Sequence, residues 1–199
     1  MPSVPHASCR LILASRSPRR IDLLREAGLD FEVLPADIDE TTDPEQSAEE
    51  NVRSLALLKA AAVAHNRPGR FILAADTLVV LDSKIIGKPR DREDARRILR
   101  ALSGRTHRVI TGLALIAPGG APRAEAVASQ VDIKPLTGEV IEAYLDTGEP
   151  MDKAGAYAIQ GHGAALVAAH RGSYTNIVGL PMERVLVLLT QAGHPTPPG

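Results

Sequence analysis

Cys9-Arg10-Leu11-Ile12-Leu13-Ala14-Ser15-Arg16-Ser17-Pro18-Arg19-Arg20 is an apolar run that gives way within a few residues to a helix start. Cys9 to Ala14 reads as a short buried strand and Ser17 to Ala27 as the helix it feeds. Ser17 suits the N-cap, Pro18 the first helical position, and Gly28 the residue just past the end. Ile21, Leu23, Leu24 and Ala27 supply an apolar stripe at helical spacing. A strand delivered into a helix is the repeating unit of α/β architecture. The charges are placed against the usual preference. A first helical turn exposes unpaired N–H groups and a partial positive charge, so acidic residues favour it. Arg19 and Arg20 stand there instead. Free N–H groups beside two guanidiniums make an anion site, phosphate above all; a solvated basic turn fits the same residues.

Working outward, Phe31 to Leu34 reads as a second strand, stopped by Pro35 and followed by an acidic loop from Asp37 to Asp43. Glu45 to His65 is expected as a long alanine-rich helix with Leu55, Leu58 and Ala62 facing inward. Phe71 to Ala75 predicts a buried strand that ends at Asp76-Thr77, and Leu78–Leu81 with Lys84–Ile86 predicts a hairpin around Asp82-Ser83. Asp91 caps a helix to about Leu102, which Ser103-Gly104 stops. Two long strands follow, Thr106–Ala117 and Arg123–Lys134, joined by Pro118-Gly119-Gly120. Gly138–Leu145 is a short helix, Gly148–Gly163 a glycine-punctuated loop, Ala164–Ala169 a strand and Pro181–Ala192 a final helix. The strand and helix mixture, with its long antiparallel pair, predicts a mixed rather than purely parallel sheet. One domain spanning 1–199 is expected, with residues 1–8 and 194–199 flexible.

Composition removes several function classes. With 44% hydrophobic and 24% charged residues, the chain suits an ordinary folded domain. A net charge of −1 gives no global field for nucleic acid or an anionic membrane. Five aromatic rings and no tryptophan leave few stacking platforms for single strands. No apolar stretch is long enough for a membrane span, so the cytoplasm is the default expectation. The single Cys9 excludes an internal disulfide and a multi-cysteine zinc site, and suits a reducing compartment.

The candidate chemistry is dispersed. Asp76 follows the apolar strand run, where α/β folds open a ligand crevice; a general base, a metal ligand and a turn-capping carboxylate all fit. Gly87-Lys88-Pro89 sets a lysine on a rigid loop. Asp152-Lys153-Ala154-Gly155-Ala156-Tyr157 with Ile159-Gln160-Gly161 brings charge, small residues and an amide able to read a base edge. Lys59, Lys88 and Lys153 read equally as solvated charges. The six histidines show no metal-ligand spacing, and no nucleophile elbow, Walker loop or dinucleotide fingerprint is present. Cations, one aspartate and the acidic Asp37, Asp39 and Glu40 suit a polyphosphate bridged to carboxylates by a divalent metal.

Six ordered blocks carry a resemblance. They are Leu13-Ala14-Ser15-x-Ser17-Pro18-Arg19-Arg20, Ala75-Asp76-Thr77, Gly87-Lys88-Pro89, the run Ser103-Gly104-x-x-His107-x-Val109-x-Thr111-Gly112, the run Gly148-Glu149-Pro150-x-Asp152-Lys153-Ala154-Gly155-Ala156-Tyr157 with Ile159-Gln160-Gly161, and Gly172-Ser173-Tyr174-x-Asn176-x-Val178-Gly179-Leu180-Pro181. Together they resemble the Maf family. The resemblance implies an inosine-triphosphatase-like fold: an elongated mixed sheet flanked by helices, with two lobes and a central cleft. It implies a nucleoside triphosphate pyrophosphatase that releases pyrophosphate and a monophosphate with a divalent cation, Mg²⁺ or Mn²⁺. The branch acting on dTTP and UTP has an arginine pair after Ser-Pro, Thr after the catalytic Asp, and Gln in the Tyr-x-Ile-Gln-Gly segment. The 7-methyl-GTP branch typically has Trp after Ser-Pro.

Carried onto this chain, the resemblance makes Asp76 the proton acceptor, and Arg19, Thr77 and Gln160 the residues that select the base. Chemistry then gives Ser15, Arg20, Lys59, Lys88 and Lys153 the phosphates, with Asp76 and Glu40 as candidate metal ligands. In this division Arg20 holds phosphate while Arg19 chooses the nucleotide. The resemblance also suggests a homodimer. The alternative functions are a non-enzymatic, nucleotide-binding regulator of septum formation, or a pyrophosphatase for another modified nucleotide such as 7-methyl-GTP.

Overall fold

The computed structural model describes residues 11–196; Cys9, the N-terminal residues 1–8 and the last three residues of the expected tail lie outside them. The elements run β1 (Leu11–Leu13), α1 (Pro18–Glu26), β2 (Phe31–Val33), α2 (Ala48–His65), β3 (Phe71–Leu81), β4 (Lys84–Ile86), α3 (Arg92–Leu102), β5 (Thr106–Ile116), β6 (Arg123–Ile133), α4 (Gly138–Asp146), β7 (Val167–Arg171), α5 (Tyr174–Val178) and α6 (Met182–Gln191). One sheet holds all the strands in the order β2-β1-β3-β5-β6-β7, with β4 also on β3. β1 is parallel to β2 and β3, while the β3/β5, β5/β6 and β6/β7 pairs are antiparallel, as the long strand pair predicts.

The ends of the first helix behave as its sequence asks. Gly28 takes φ +69°, Gly28 N–H donates to Arg25 O and Leu29 N–H to Leu24 O. That is a Schellman closure, sealed by the buried pair Leu24 and Leu29. Other expectations shift. The second helix starts at a Ser47/Glu50 capping box, because Glu45 and Gln46 belong to a turn bonded to Asp43. Leu58, expected inward, is 55% exposed, whereas Leu55 is buried. His194, expected in a loose tail, is buried edge-on against Phe71 with ring centroids 4.9 Å apart.

The largest difference concerns β3. Its strand does not stop at Ala75 but runs eleven residues, because β5 pairs with it continuously from Ile72 to Val80. Asp76 is therefore mid-strand. What ends near it is the other edge: β1 pairs only with 71–73 and β4 only with 79–81. The cleft opens where that edge has lost one neighbour and not yet gained the next.

Side chains alternate across β3 and sort the core. On one face Ile72 and Ala74 pack with Ala56, Ala60 and Val63 of α2, and Leu78 and Val80 with Val52. On the other, Leu73 and Ala75 join Leu24, Val185 and Leu189, while Val79 and Leu81 join Ile98, Leu99 and Ile141. These are two separate apolar lobes. Asp76 interrupts the first face and Thr77 parts the two lobes of the second.

Candidate active site

A cleft of about 390 Å³ occupies the gap, and Ser15, Arg19, Arg20, Glu40, Lys59, Asp76, Thr77, Lys88, Lys153 and Gln160 all contribute to its lining. Every residue predicted for the site thus reaches one space from seven separated segments of chain.

Asp76 meets α2 across the sheet face. Lys59 Nζ donates to Asp76 Oδ1 at 2.6 Å and lies 3.1 Å from Glu40 Oε2. Lys59 is 6% and Asp76 7% exposed, so the solvated reading of Lys59 fails. Among the described residues no protein donor engages Asp76 Oδ2. Helix α2 can lie this close because Gly112, opposite Asp76 in β5, has no side chain; a Cβ there would fall 2.0 Å from Val52 O. Glu40 comes from the acidic loop, which Asn51 moors to the helix. Its Nδ2 donates to Asp43 O, and its Oδ1 accepts from Asp43 N–H at 2.7 Å. A buried asparagine inside the alanine-rich helix was the sequence signal for that anchor.

Arg20 fills the unpaired edge of β3. Its Nη1 donates to Ala75 O at 2.8 Å and Ser15 Oγ at 3.2 Å, Nε to Gly179 O at 2.7 Å, and Nη2 to Thr77 Oγ1 at 3.0 Å. A guanidinium has five N–H groups, so among the described residues one has no partner. Burial lowers the Arg20 pKa and Asp76 opposes the shift; the side chain stays charged.

Thr77 is engaged as well. Thr111 Oγ1 donates to Asn176 O at 3.1 Å, so the 2.9 Å contact between Thr77 and Thr111 has Thr77 as donor. The hydrogen bonds run one way, from Arg20 through Thr77 and Thr111 to Asn176 O. Asn176 continues inward, its Nδ2 donating to Val109 O at 3.0 Å and Ser129 Oγ at 2.9 Å. Thr111 and Asn176 sit in the quoted motifs without a role; their role here is to carry a polar seam between the lobes.

The other predicted cations are less engaged. Arg19 gives one long bond, Nε to Val178 O at 3.3 Å. Lys88 is exposed just past β4 and has no partner among the described residues. Lys153 pairs with its neighbour Asp152. Burial works upward on the Asp152 carboxyl, yet Lys153 and Arg19 bring it below its usual value. The α1 end matches the anion reading: Ser17 makes no side-chain cap and the first turn holds no acid. Behind this wall His107 Nε2 lies 2.8 Å from Tyr157 OH, in the lobe of α3 and α4. Burial pushes the imidazole down to about 4, against the pull of Asp132.

For the divalent cation, the donor chemistry is partial but suitable. No group of three His, Cys, Asp or Glu converges among the described residues. Asp76 and Glu40 do converge, on the ammonium of Lys59. Two carboxylates fit a hard cation that completes its shell with substrate phosphates and water.

The comparisons with known proteins agree with this architecture. A "dTTP/UTP pyrophosphatase" from Symbiobacterium thermophilum is 49% identical over 186 residues, covering 94% of this chain and 95% of that protein. One of the same name from Anaeromyxobacter dehalogenans (strain 2CP-C) is 50% identical over 191 residues, covering 94% and 96%. A solved structure of a HAM1 protein from Coxiella burnetii shares the fold with a TM-score of 0.52 at 18% identity, covering 92% of this chain and 98% of that one. The family model described as Maf-like protein matches residues 10–192. By that match and by its relatives, the chain belongs to the Maf family.

Proposed function

We propose that this protein hydrolyses nucleoside triphosphates to the monophosphate and pyrophosphate, with dTTP and UTP as preferred substrates. One observation carries the reading: a buried Asp76–Lys59 pair stands in a cleft lined by Arg19, Arg20, Lys88 and Lys153. The relatives named for this activity, 49–50% identical over 94% of the chain, supply the substrate class.

Asp76 is the proton acceptor. Lys59 holds Oδ1, leaving Oδ2 to take a proton from water as it attacks the α-phosphorus. The bond from that phosphorus to the bridging oxygen breaks and pyrophosphate leaves. Lys88 and Lys153 neutralise it, with Lys153 exchanging its Asp152 partner for phosphate. Arg20 gives phosphate its one remaining N–H and the α1 N-terminus gives its backbone donors, so most of the catalysis is positioning and charge neutralisation. Asp76 and Glu40 would hold a Mg²⁺ or Mn²⁺ ion, which when bound supplies positive charge against the triphosphate. Arg19 and Gln160 face the base. Thr77 acts by holding Arg20.

No helix of the described residues is long and apolar enough to cross a membrane. Action as one domain in the cytoplasm, on free nucleotides and as a homodimer, is part of the same proposal.

Purified protein with Mg²⁺ or Mn²⁺ and a nucleotide panel should release pyrophosphate fastest from dTTP and UTP. Preference for 7-methyl-GTP, or release of single phosphates, would overturn the reading. A silent panel with intact nucleotide binding would favour the regulator instead. Asp76→Asn should lower turnover by about 10² or more on every substrate; near-normal rates would move the base elsewhere.

A further inference from the structure

The segment Ala158–Gly163 forms an arch over one side of the cleft, with Gln160 near its middle. Ala158, Ile159 and Gln160 line the cleft; Ile159 is buried, and Gln160 is exposed without a protein partner among the described residues. Both feet of the arch rest on one pair of side chains. Before Gln160, Ala158 N–H donates to Tyr144 OH at 3.2 Å. After it, His162 N–H donates to Glu149 Oε2 at 2.9 Å and Gly163 N–H to Glu149 Oε1 at 3.2 Å. Tyr144 OH in turn donates to Glu149 Oε1 at 3.0 Å, joining the two feet.

The glycines make this contact possible. Gly161 has φ +63°, and a Cβ on it would lie 2.8 Å from Glu149 Oε2. A Cβ on Gly163 would lie 2.3 Å from Ala158 O and 2.8 Å from Tyr144 OH. Neither Glu149 nor Tyr144 lines the cleft. Their polar atoms are directed at the backbone of the arch, and a carboxylate accepting backbone N–H groups makes the stronger class of hydrogen bond.

We infer that Glu149, with Tyr144, is a positioning residue for nucleotide selection: it clamps both feet of the arch and so sets the reach of the Gln160 amide into the cleft. This rests on the proposed reading of Gln160 as a base-facing residue. An amide offers a donor and an acceptor side by side. Uracil and thymine offer the complement, an N3–H beside a ring carbonyl. A fixed arch holds the amide in one place; a loose one lets it yield to a larger ring.

The experiment compares kcat/KM for UTP and GTP in the wild type, Gln160→Ala, Glu149→Ala, Tyr144→Phe and the Glu149→Ala/Gln160→Ala pair. The UTP preference should fall about tenfold in Gln160→Ala and in Glu149→Ala, chiefly through KM. The double variant should match Gln160→Ala, because the clamp acts only through the amide. Tyr144→Phe, which removes a single hydroxyl, should shift the preference the same way by a smaller factor, and reports even if Glu149→Ala folds poorly. Loss of preference in Gln160→Ala with none in Glu149→Ala or Tyr144→Phe, or effects that multiply in the double variant, would overturn the clamp alone. An unchanged preference in Gln160→Ala would overturn both the clamp and the base-facing reading of Gln160.

Discussion

The two walls of the cleft are held by opposite means. The α1 wall is tied to the sheet: Arg20 bonds to the backbone of β3 at Ala75 and to Gly179, and its partner Thr77 is a strand residue bonded to the next strand. The opposite wall, from Gly148 to Gly163, has no strand. It is a run of short 3₁₀ turns in which Gly148, Gly155, Ala156 and Gly161 take positive φ, held together by Glu149 and Tyr144. The first wall suits a phosphate chain, whose geometry is the same in every nucleotide. Apart from Lys153, the second can be tuned in shape by a few side chains, which suits the part of the substrate that varies. Changes at Arg20, which ties α1 to the sheet, should therefore move all substrates together, and changes in the arch should move their ratios.

The largest expected effect concerns the floor that both walls share. Gly112→Ala puts a methyl group against the backbone of α2. It should cost about 3 kcal/mol or more, because backbone cannot yield as a flexible side chain does. Urea denaturation measures the loss, and wild-type stability would show that α2 does not rest on β5 here.

Acid should loosen the arch side first. The neutral His107 is buried beside Tyr157, with its pKa lowered from 6.5 to about 4. Above 6.5 the ring is neutral folded or unfolded and costs nothing. As pH falls toward 4 only the unfolded chain gains the proton, so stability drops, by about 3 kcal/mol at full extent. His107→Gln should flatten that part of the stability curve; an unchanged slope in denaturation between pH 7 and 4.5 would assign it elsewhere.

Arg20→Met leaves Ala75 O and Gly179 O without their donor. It should cost about 2 kcal/mol of stability and lower pyrophosphate release from dTTP, UTP and GTP by one common factor. A changed ratio among them would break the contrast between the walls. Smallest is Thr111→Val, a residue that is fully buried and touches no part of the cleft. Cutting the hydrogen-bond chain behind Thr77 should cost about 1 kcal/mol and slow all nucleotides alike, with Thr111→Ser restoring both. If Thr77 itself read the base, Thr111→Val would shift the substrate ratio instead.

Local rules placed α1, its Schellman end, the Asp91-capped helix and the long antiparallel pair, because caps, turns and periodicity act within a few residues. The same rules ended β3 at Ala75, since a polar Asp-Thr pair after an apolar run looks like a strand end. Pairing with β5 overrode that signal, as tertiary context overrides β-propensity.

The sequence by itself determined which residues could be chemical: an aspartate after a buried run, arginines where a helix start favours acids, lysines on glycine-framed loops, an amide among small residues. Those are properties of residue type and near neighbours. Only the tertiary structure decided which of them are already engaged by protein partners. Arg20 and Arg19 are adjacent and look alike in the chain, yet the acceptors for Arg20 at Ala75 and Gly179 lie 55 and 159 residues away. A side chain's free donors are what remains after such distant partners are met, and no local pattern encodes them.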